Sequence, residues 1–360
     1  MLTSDMVNRR DTNFWLGLPR PIMAQAPMAN VTDAAFRRMF AECGKPDVYW
    51  TEFVSVEGLL SRGREKLLTD LWFNKENSAE RPIVAQIFGG KPEQFEAVAP
   101  LIRELGFDGI DINMGCPDRG VEKSGAGAAL IKTPELAKEI IRALKRGLKT
   151  AANGTGELPV SVKTRLGYSN IAEMETWIPA LLEEDLAELN VHLRTRAEMS
   201  DVPAHWDLAP KIVALRNRIS PKTILLGNGD VRSLEDGRQK AKESGMDGVM
   251  VGSGIFGNPW FFSGRVPDVR ERLERLVTHT ELFEKLYRSD DPKTIGHGGR
   301  LKNFDVMKKH YKSYTTAGGD GSANFFGAKE LRIRLMEAEN ATEVKEIVQN
   351  FLKTYPEATR

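Results

Sequence analysis

The chain has 360 residues and a formal net charge of +1, with 51 Lys and Arg against 50 Asp and Glu. A hydrophobic fraction of 41% and a charged fraction of 28% match a soluble globular protein, long enough for one large and one small domain. Composition excludes three classes: no apolar run nears the ~18 residues that span a bilayer, Cys43 and Cys116 make no disulfide framework, and no CxxC or Cys/His cluster suggests a metal. The opening MLTSDMVNRRDTNFW lacks the apolar core of a signal peptide, which places the expected compartment in the cytoplasm. A near-neutral balance means that any nucleic-acid surface must be local.

From residue 21 the chain alternates short apolar, β-rich runs with helical patterns. Strands are predicted over 21–28, 48–53, 82–87, 109–112, 159–163, 189–192, 223–226 and 248–251. Helical spacing follows each, including Glu93 to Leu105 with Phe95, Val98, Leu101 and Ile102 on one face, and Ile255 to Phe262 after the last strand. Eight strand–helix units in about 240 residues fit a closed (β/α)8 TIM barrel, an α/β fold, better than an open doubly wound sheet. No GxGxxG follows the first strand. From about 263 the pattern is helices alone. The expected division is therefore a barrel over 1–262 and a small all-helical domain over 263–360.

Barrels place chemistry at the C-terminal strand ends. Met28, Gln86, Asn113, Lys163, His192, Asn228 and Gly252 all fall at or just past such ends. Scattered in sequence, they converge on one mouth. Gly227-Asn228-Gly229-Asp230 and Gly252-Ser253-Gly254 follow the seventh and eighth strands, where barrels commonly bind phosphate. Lys163 suits the charge that develops on a reduced flavin, Gln86 its pyrimidine edge, and Pro27, Met28 and Ala29 its ring. Together with the glycine loops, these residues point to a flavin.

The stretch FDGIDINMGCPDRGVEKSGAGAALI, 107–131, ends the fourth strand in a shaped loop. Gly115 and Pro117 bracket a thiol, Cys116, ahead of the small residues Gly125 to Ala129. Asn113-Met114-Gly115-Cys116-Pro117 followed by Gly125-Ala126-Gly127-Ala128-Ala129-Leu130 resembles the active-site loop of the tRNA-dihydrouridine synthases. Ala26-Pro27-Met28-Ala29 with Thr32-Asp33, Gln86, Lys163-Thr164-Arg165-Leu166-Gly167, Val191-His192, Gly227-Asn228-Gly229-Asp230 and Gly257-Asn258-Pro259-Trp260 match in family order. They span about residues 20 to 262.

That resemblance implies FMN as cofactor, NADPH as electron donor, and reduction of the C5–C6 double bond of a uridine in tRNA. Cys116 would be the general acid that protonates C5. Asn113, Arg165 and Arg194 would hold the uridine, and His192, Asn228, Gly229, Asp230, Gly252 and Ser253 would belong to the cofactor site. Two positions depart from the family pattern. Leu193 stands where the family usually has Gly, and Ser253 where it usually has Arg, which removes a cationic phosphate contact.

Between 293 and 334 nine Lys and Arg face three acids, with Phe304, Tyr311, Tyr314, Phe325 and Phe326 interleaved. Basic charge beside aromatic faces suits RNA, and Lys308, Lys309 and Lys312 are its candidates. The plainer reading is a solvated helix face over an aromatic core. A small-molecule flavin barrel, dihydroorotate dehydrogenase-like or ene-reductase-like, would explain the mouth but not this basic segment. A monomer is expected.

Overall fold

The computed structural model describes residues 13–76, 78–152, 158–288, 301–316 and 325–356. Eight strands run β1 (Ile22–Gln25), β2 (Tyr49–Ser55), β3 (Ile83–Phe88), β4 (Gly109–Met114), β5 (Val160–Arg165), β6 (Glu188–His192), β7 (Ile224–Asn228) and β8 (Gly248–Val251). From β2 to β8 consecutive strands pair in parallel, and β1 pairs with β8 from Ile22↔Gly248 to Gln25↔Val251. The ring closes between β1 and β2 through the Ala24↔Val48 bridge, where Gln25 N donates to Val48 O at 3.1 Å. The predicted (β/α)8 barrel is the observed fold.

Helices α1 (Ala34–Cys43), α2 (Arg64–Leu71), α3 (Pro92–Leu105), α4 (Pro134–Ala152), α5 (Met174–Leu182), α6 (Ala209–Ile219) and α7 (Leu234–Ser244) follow the first seven strands. Their ends are written locally. Asp33 caps α1 by accepting from Phe36 N at 2.9 Å, Ser233 caps α7 through Asp236 N, and Gly245 closes α7 at φ +74°. The helix expected over 255–262 is instead two 3-10 turns, Ser253–Ile255 and Phe261–Ser263. Gly257 at φ +54° and the missing N–H of Pro259 break the helical ladder between them.

Alternation along the strands sorts the core. Ile83, Ala85 and Ile87 face outward onto Phe95, Val98 and Ile102 of α3. Inward, Ile22, Ala24, Val84, Ile224, Leu226 and Met250 fill the barrel's axis. Trp15, from an N-terminal 3-10 turn (Phe14–Gly17), packs into this inner cluster with its ring 5.6 Å from that of Trp50. The remaining inward positions, on β3 to β7, carry polar side chains up to the C-terminal mouth.

Helices α8 (Val269–Tyr287), α9 (Asp305–Tyr314), α10 (Ala328–Glu337) and α11 (Ala341–Thr354) bury a separate cluster that includes Leu276, Phe283, Met307, Leu335 and Val344. It extends to Ala34, Ala35 and Trp260, so the helical region rests on α1. Phe304, Tyr311 and Tyr314 lie inside this core and present no stacking face, because helical spacing turns them inward with Met307. Phe326 alone of the five aromatics is strongly exposed, at 76%. Lys302, counted in the basic excess, is buried too. Lys293, Arg300 and Asp320 lie outside the described residues. Among the described residues no helix is long and apolar enough to cross a membrane.

Candidate active site

Three tiers of inward side chains rise across β3 to β7. The register sets Gln86, Asp111, Ser161 and Glu188 beside one another, then Asn113, Lys163 and Asn190, then Arg165, His192 and Asn228 at the mouth. Period-two alternation does this, since residues two apart on a strand share a face. Ser161 Oγ and Gln86 Nε2 donate to the two oxygens of Asp111 at 2.7 and 2.6 Å, and Asn113 Nδ2 donates to Gln86 Oε1 at 3.0 Å. Burial pushes Asp111 up to about 6 against these hydrogen bonds. Gln86 is fully buried and braces Asn113 from below.

Asn113 in turn shapes the thiol loop. Its Oδ1 accepts from Gly115 N at 3.2 Å and Cys116 N at 2.9 Å, turning the chain at the end of β4. Gly115 passes so close to β5 that a Cβ would sit 3.0 Å from the Thr164 carbonyl carbon. Gly127, at φ +61°, would meet Cys116 O at 2.7 Å if it carried one. Ala128 N donates to that same oxygen at 3.0 Å, tying the small-residue stretch to the thiol loop. The Cys116 side chain is half-buried, and burial raises its thiol above the ordinary range, helped by the Asp118 charge. At neutral pH it is a thiol rather than a thiolate.

Lys163 extends to the mouth, where Asn228 Oδ1 accepts from its Nζ at 3.3 Å while Asn228 Nδ2 donates to Met250 O. Desolvation, then the Arg165 charge, lowers Lys163 to about 8. His192 is held well below the imidazole range by burial and by Arg165, Lys163 and Arg194. It stays neutral, and its Nε2 accepts a hydrogen bond from Arg194 Nη1 at 3.0 Å.

Arg194, expected to reach the nucleotide, is engaged within the protein. Its Nη2 bonds both Asp230 oxygens at 2.7 and 2.6 Å, and its Nε bonds Val202 O. Asp230, at φ +52°, also accepts from Ala204 N, so these two residues lock the loop after β6 to the loop after β7. Leu193 is fully buried, and alternation turns its neighbours His192 and Arg194 inward. Arg165 is likewise engaged, through Nε to Gly115 O at 2.9 Å and Nη1 to Thr195 O and Met199 O.

The two glycine loops meet: a Cβ on Gly254 would lie 2.5 Å from Val231 O. Beside them, a Cβ on Gly252 would lie 3.9 Å from Met28 Sδ, which places the Pro27–Ala29 edge against the loop after β8. Ser253 is exposed there. In the helical region Lys309 and Lys312 are exposed, whereas Lys308 pairs with Asp305 at 2.8 Å.

A family model for dihydrouridine synthase matches residues 24–356. The chain belongs to the dihydrouridine synthase family. It is 39% identical over 346 residues to the probable tRNA-dihydrouridine synthase 2 of Bacillus subtilis (strain 168), covering 95% of this chain and 98% of that one. It is 41% identical over 342 residues to a probable tRNA-dihydrouridine synthase of Staphylococcus epidermidis (strain ATCC 35984), covering 94% and 96%. A histamine dehydrogenase from Rhizobium sp. 4-9 shares the fold, with TM-score 0.50 and 12% identity over 73% of this chain and 49% of that one.

Within this dihydrouridine synthase, the sequence motifs overlooked Asp111, Ser161, Glu188 and Asn190. A polar residue alternating with Asn113 or Lys163 inside an apolar run was the available signal. Glu188 is fully buried, held well above the carboxylate range by burial and the nearby Asp111, and its oxygens have no hydrogen-bond partner among the described residues.

Proposed function

We propose that this dihydrouridine synthase reduces the C5–C6 double bond of uridine in tRNA, with FMN bound at the barrel mouth and NADPH as the reductant. The observation that carries the reading is the pair of hydrogen bonds that the Gly115 and Cys116 amides donate to Asn113 Oδ1, which holds a protonated thiol beside a mouth lined by Lys163 and Asn228. The residues fit a flavin. Lys163 bears three donors and has one long hydrogen bond, leaving capacity for a ring edge that becomes anionic on reduction. Met28 and Ala29 would pack on the ring, and the backbone around Gly229, Gly252 and Ser253 would take the phosphate.

When bound, reduced FMN supplies the hydride that adds to C6 of the uracil. Cys116 Sγ–H then gives its proton to C5, so that one hydride and one proton saturate the double bond. Asn113 holds the thiol loop from beneath, and Arg165 steadies it through Gly115 O. A uridine stacked inside tRNA cannot reach this thiol and must be turned out into the mouth. The helical domain, through Lys309 and Lys312, would hold the RNA while that happens, in a cytoplasmic, monomeric enzyme. That the curated relatives align across the helical region as well as the barrel favours this reading over a small-molecule reductase.

The test is to map dihydrouridine in tRNA from cells with and without the gene, and to restore it with purified protein, FMN and NADPH. Dihydrouridine patterns identical in both cell lines would overturn the proposal.

A further inference from the structure

A buried charge cluster joins the helical domain to the barrel next to the cofactor edge. Lys302, between α8 and α9, is 9% exposed. Its Nζ pairs with Glu52 of β2 and with Asp70 of α2 at 2.9 Å, and lies 5.2 Å over the Tyr287 ring of α8. Glu52 is 3% exposed, and its other oxygen accepts the backbone N–H of Asn30. Asn30 sits at φ +54°, in the left-handed region that few residues with a Cβ adopt. Directly before it, Met28 and Ala29 form the edge assigned to the flavin, and Thr32 clasps that turn by bonding Met28 N at 3.0 Å. Tyr287 Oη meanwhile accepts from Ala34 N at 2.9 Å, so the helical domain also fixes the start of α1.

The geometry points to Lys302 as a positioning residue of the cofactor site: the helical domain supplies the cation that balances Glu52, and Glu52 holds the Met28–Asn30 turn against the flavin. This rests on the flavin reading above. Three carboxylates, Asp33 on the α1 cap, Glu52 and Asp70, surround this one lysine together with Tyr287, and Arg37 acts on Asp33 and Tyr287 from the same cluster. A buried carboxylate stays ionised only beside a compensating charge. Even with Lys302 in place, burial pushes Glu52 up to about 7, with Asp70 and Asp33 adding to the rise. Without the lysine Glu52 takes up a proton, its bond to Asn30 loses its charge assistance, and the left-handed turn is no longer supported. Docking of the helical domain and shape of the cofactor edge are then one linked event.

FMN is titrated into the cofactor-free full chain by flavin fluorescence for wild type, Lys302→Met, Lys302→Arg, Glu52→Gln and the double variant Lys302→Met/Glu52→Gln. Lys302→Met is expected to bind FMN roughly tenfold more weakly, which is about 1.4 kcal/mol. Lys302→Arg keeps the charge and should retain most of the affinity. The double variant should bind no worse than Glu52→Gln alone. Amide exchange in the 26–33 segment, measured without FMN, should speed up in Lys302→Met and recover in Lys302→Arg. A merely structural lysine would lower the melting temperature without this charge-dependent pattern. Wild type that binds no FMN would remove the flavin reading itself. Wild type that binds FMN, with Lys302→Met equal to it or with losses that multiply in the double variant, would overturn this inference alone.

Discussion

Arg165 Nε donates to Gly115 O at 2.9 Å, so a side chain from β5 grips the residue ahead of the Cys116 thiol. Asn113 grips the same turn from β4 through both following amides. The thiol is therefore carried on a loop fixed from two strands, which is what a proton donor needs if it must meet C5 at a set distance.

Cys116→Ala should bind FMN and be reduced by NADPH like wild type, because neither step uses the thiol. Oxidation of the reduced flavin by tRNA, followed in single turnover, should slow by ~10²–10⁴-fold, the usual weight of a general acid. Arg165→Met should also slow that half-reaction while leaving flavin reduction intact, through a displaced rather than missing thiol. If Cys116→Ala oxidises at the wild-type rate, the cysteine is a packing residue.

On the proposed reading, cofactor binding should depend on pH through Lys163. Its ammonium is lowered to about 8, so it is charged below that pH and neutral above. FMN affinity should accordingly hold steady from pH 6 to 7.5 and fall as pH rises through about 8. Lys163→Met should bind weakly at all pH values, with the inflection gone. An inflection that survives in Lys163→Met would belong to another group.

The helical core carries a second titration. His310 is fully buried, and burial with the Lys309 charge pushes it down to about 3. His279, 4.8 Å away ring to ring, is held well below its ordinary value by burial, then by His310 and Arg275. Both folded values lie below the unfolded ~6.5, so the unfolded chain binds more protons there. Their stability is complete above about pH 6.5 and is lost as pH falls toward 3, by up to ~1.4 kcal/mol per pH unit for each histidine. His310→Phe suits a site flanked by Phe36 and Phe256 at 5.3 and 6.1 Å. Urea unfolding of that variant at pH 7, 6 and 5 should show a visibly shallower decline than wild type, and an equal decline would refute the assignment.

Strand ends were legible in the sequence because parallel strands are buried on both faces and read as unbroken apolar runs between Gly and Pro. The polar residues at those ends marked the mouth for the same reason. What stayed hidden depended on direction rather than identity. Arg194 and Lys302 are basic residues in suggestive places, yet one is spent on Asp230 and the other on Glu52 and Asp70, and no local pattern gives those partners away. The aromatics Tyr311 and Tyr314 could have faced RNA or the core, and only the packing of α9 against α8 decides for the core.

That sorting sharpens the RNA prediction. Of the basic residues first grouped between 293 and 334, Lys302 is removed by burial and Lys308 is partly neutralised by Asp305. Lys309 and Lys312 remain exposed on α9. If they meet phosphates, each contact releases counterions, and tRNA affinity should fall steeply with salt. Lys309→Glu/Lys312→Glu should weaken tRNA binding most at low salt and reduce the salt slope by about 1 per lost contact. Adding Lys308→Glu should cost less than either, since that charge is already shared. Flavin reduction by NADPH, proposed for the barrel mouth, should not change in any of these variants. Binding curves measured from 50 to 300 mM salt separate the outcomes: a slope equal to that of wild type would mean that α9 does not touch the RNA.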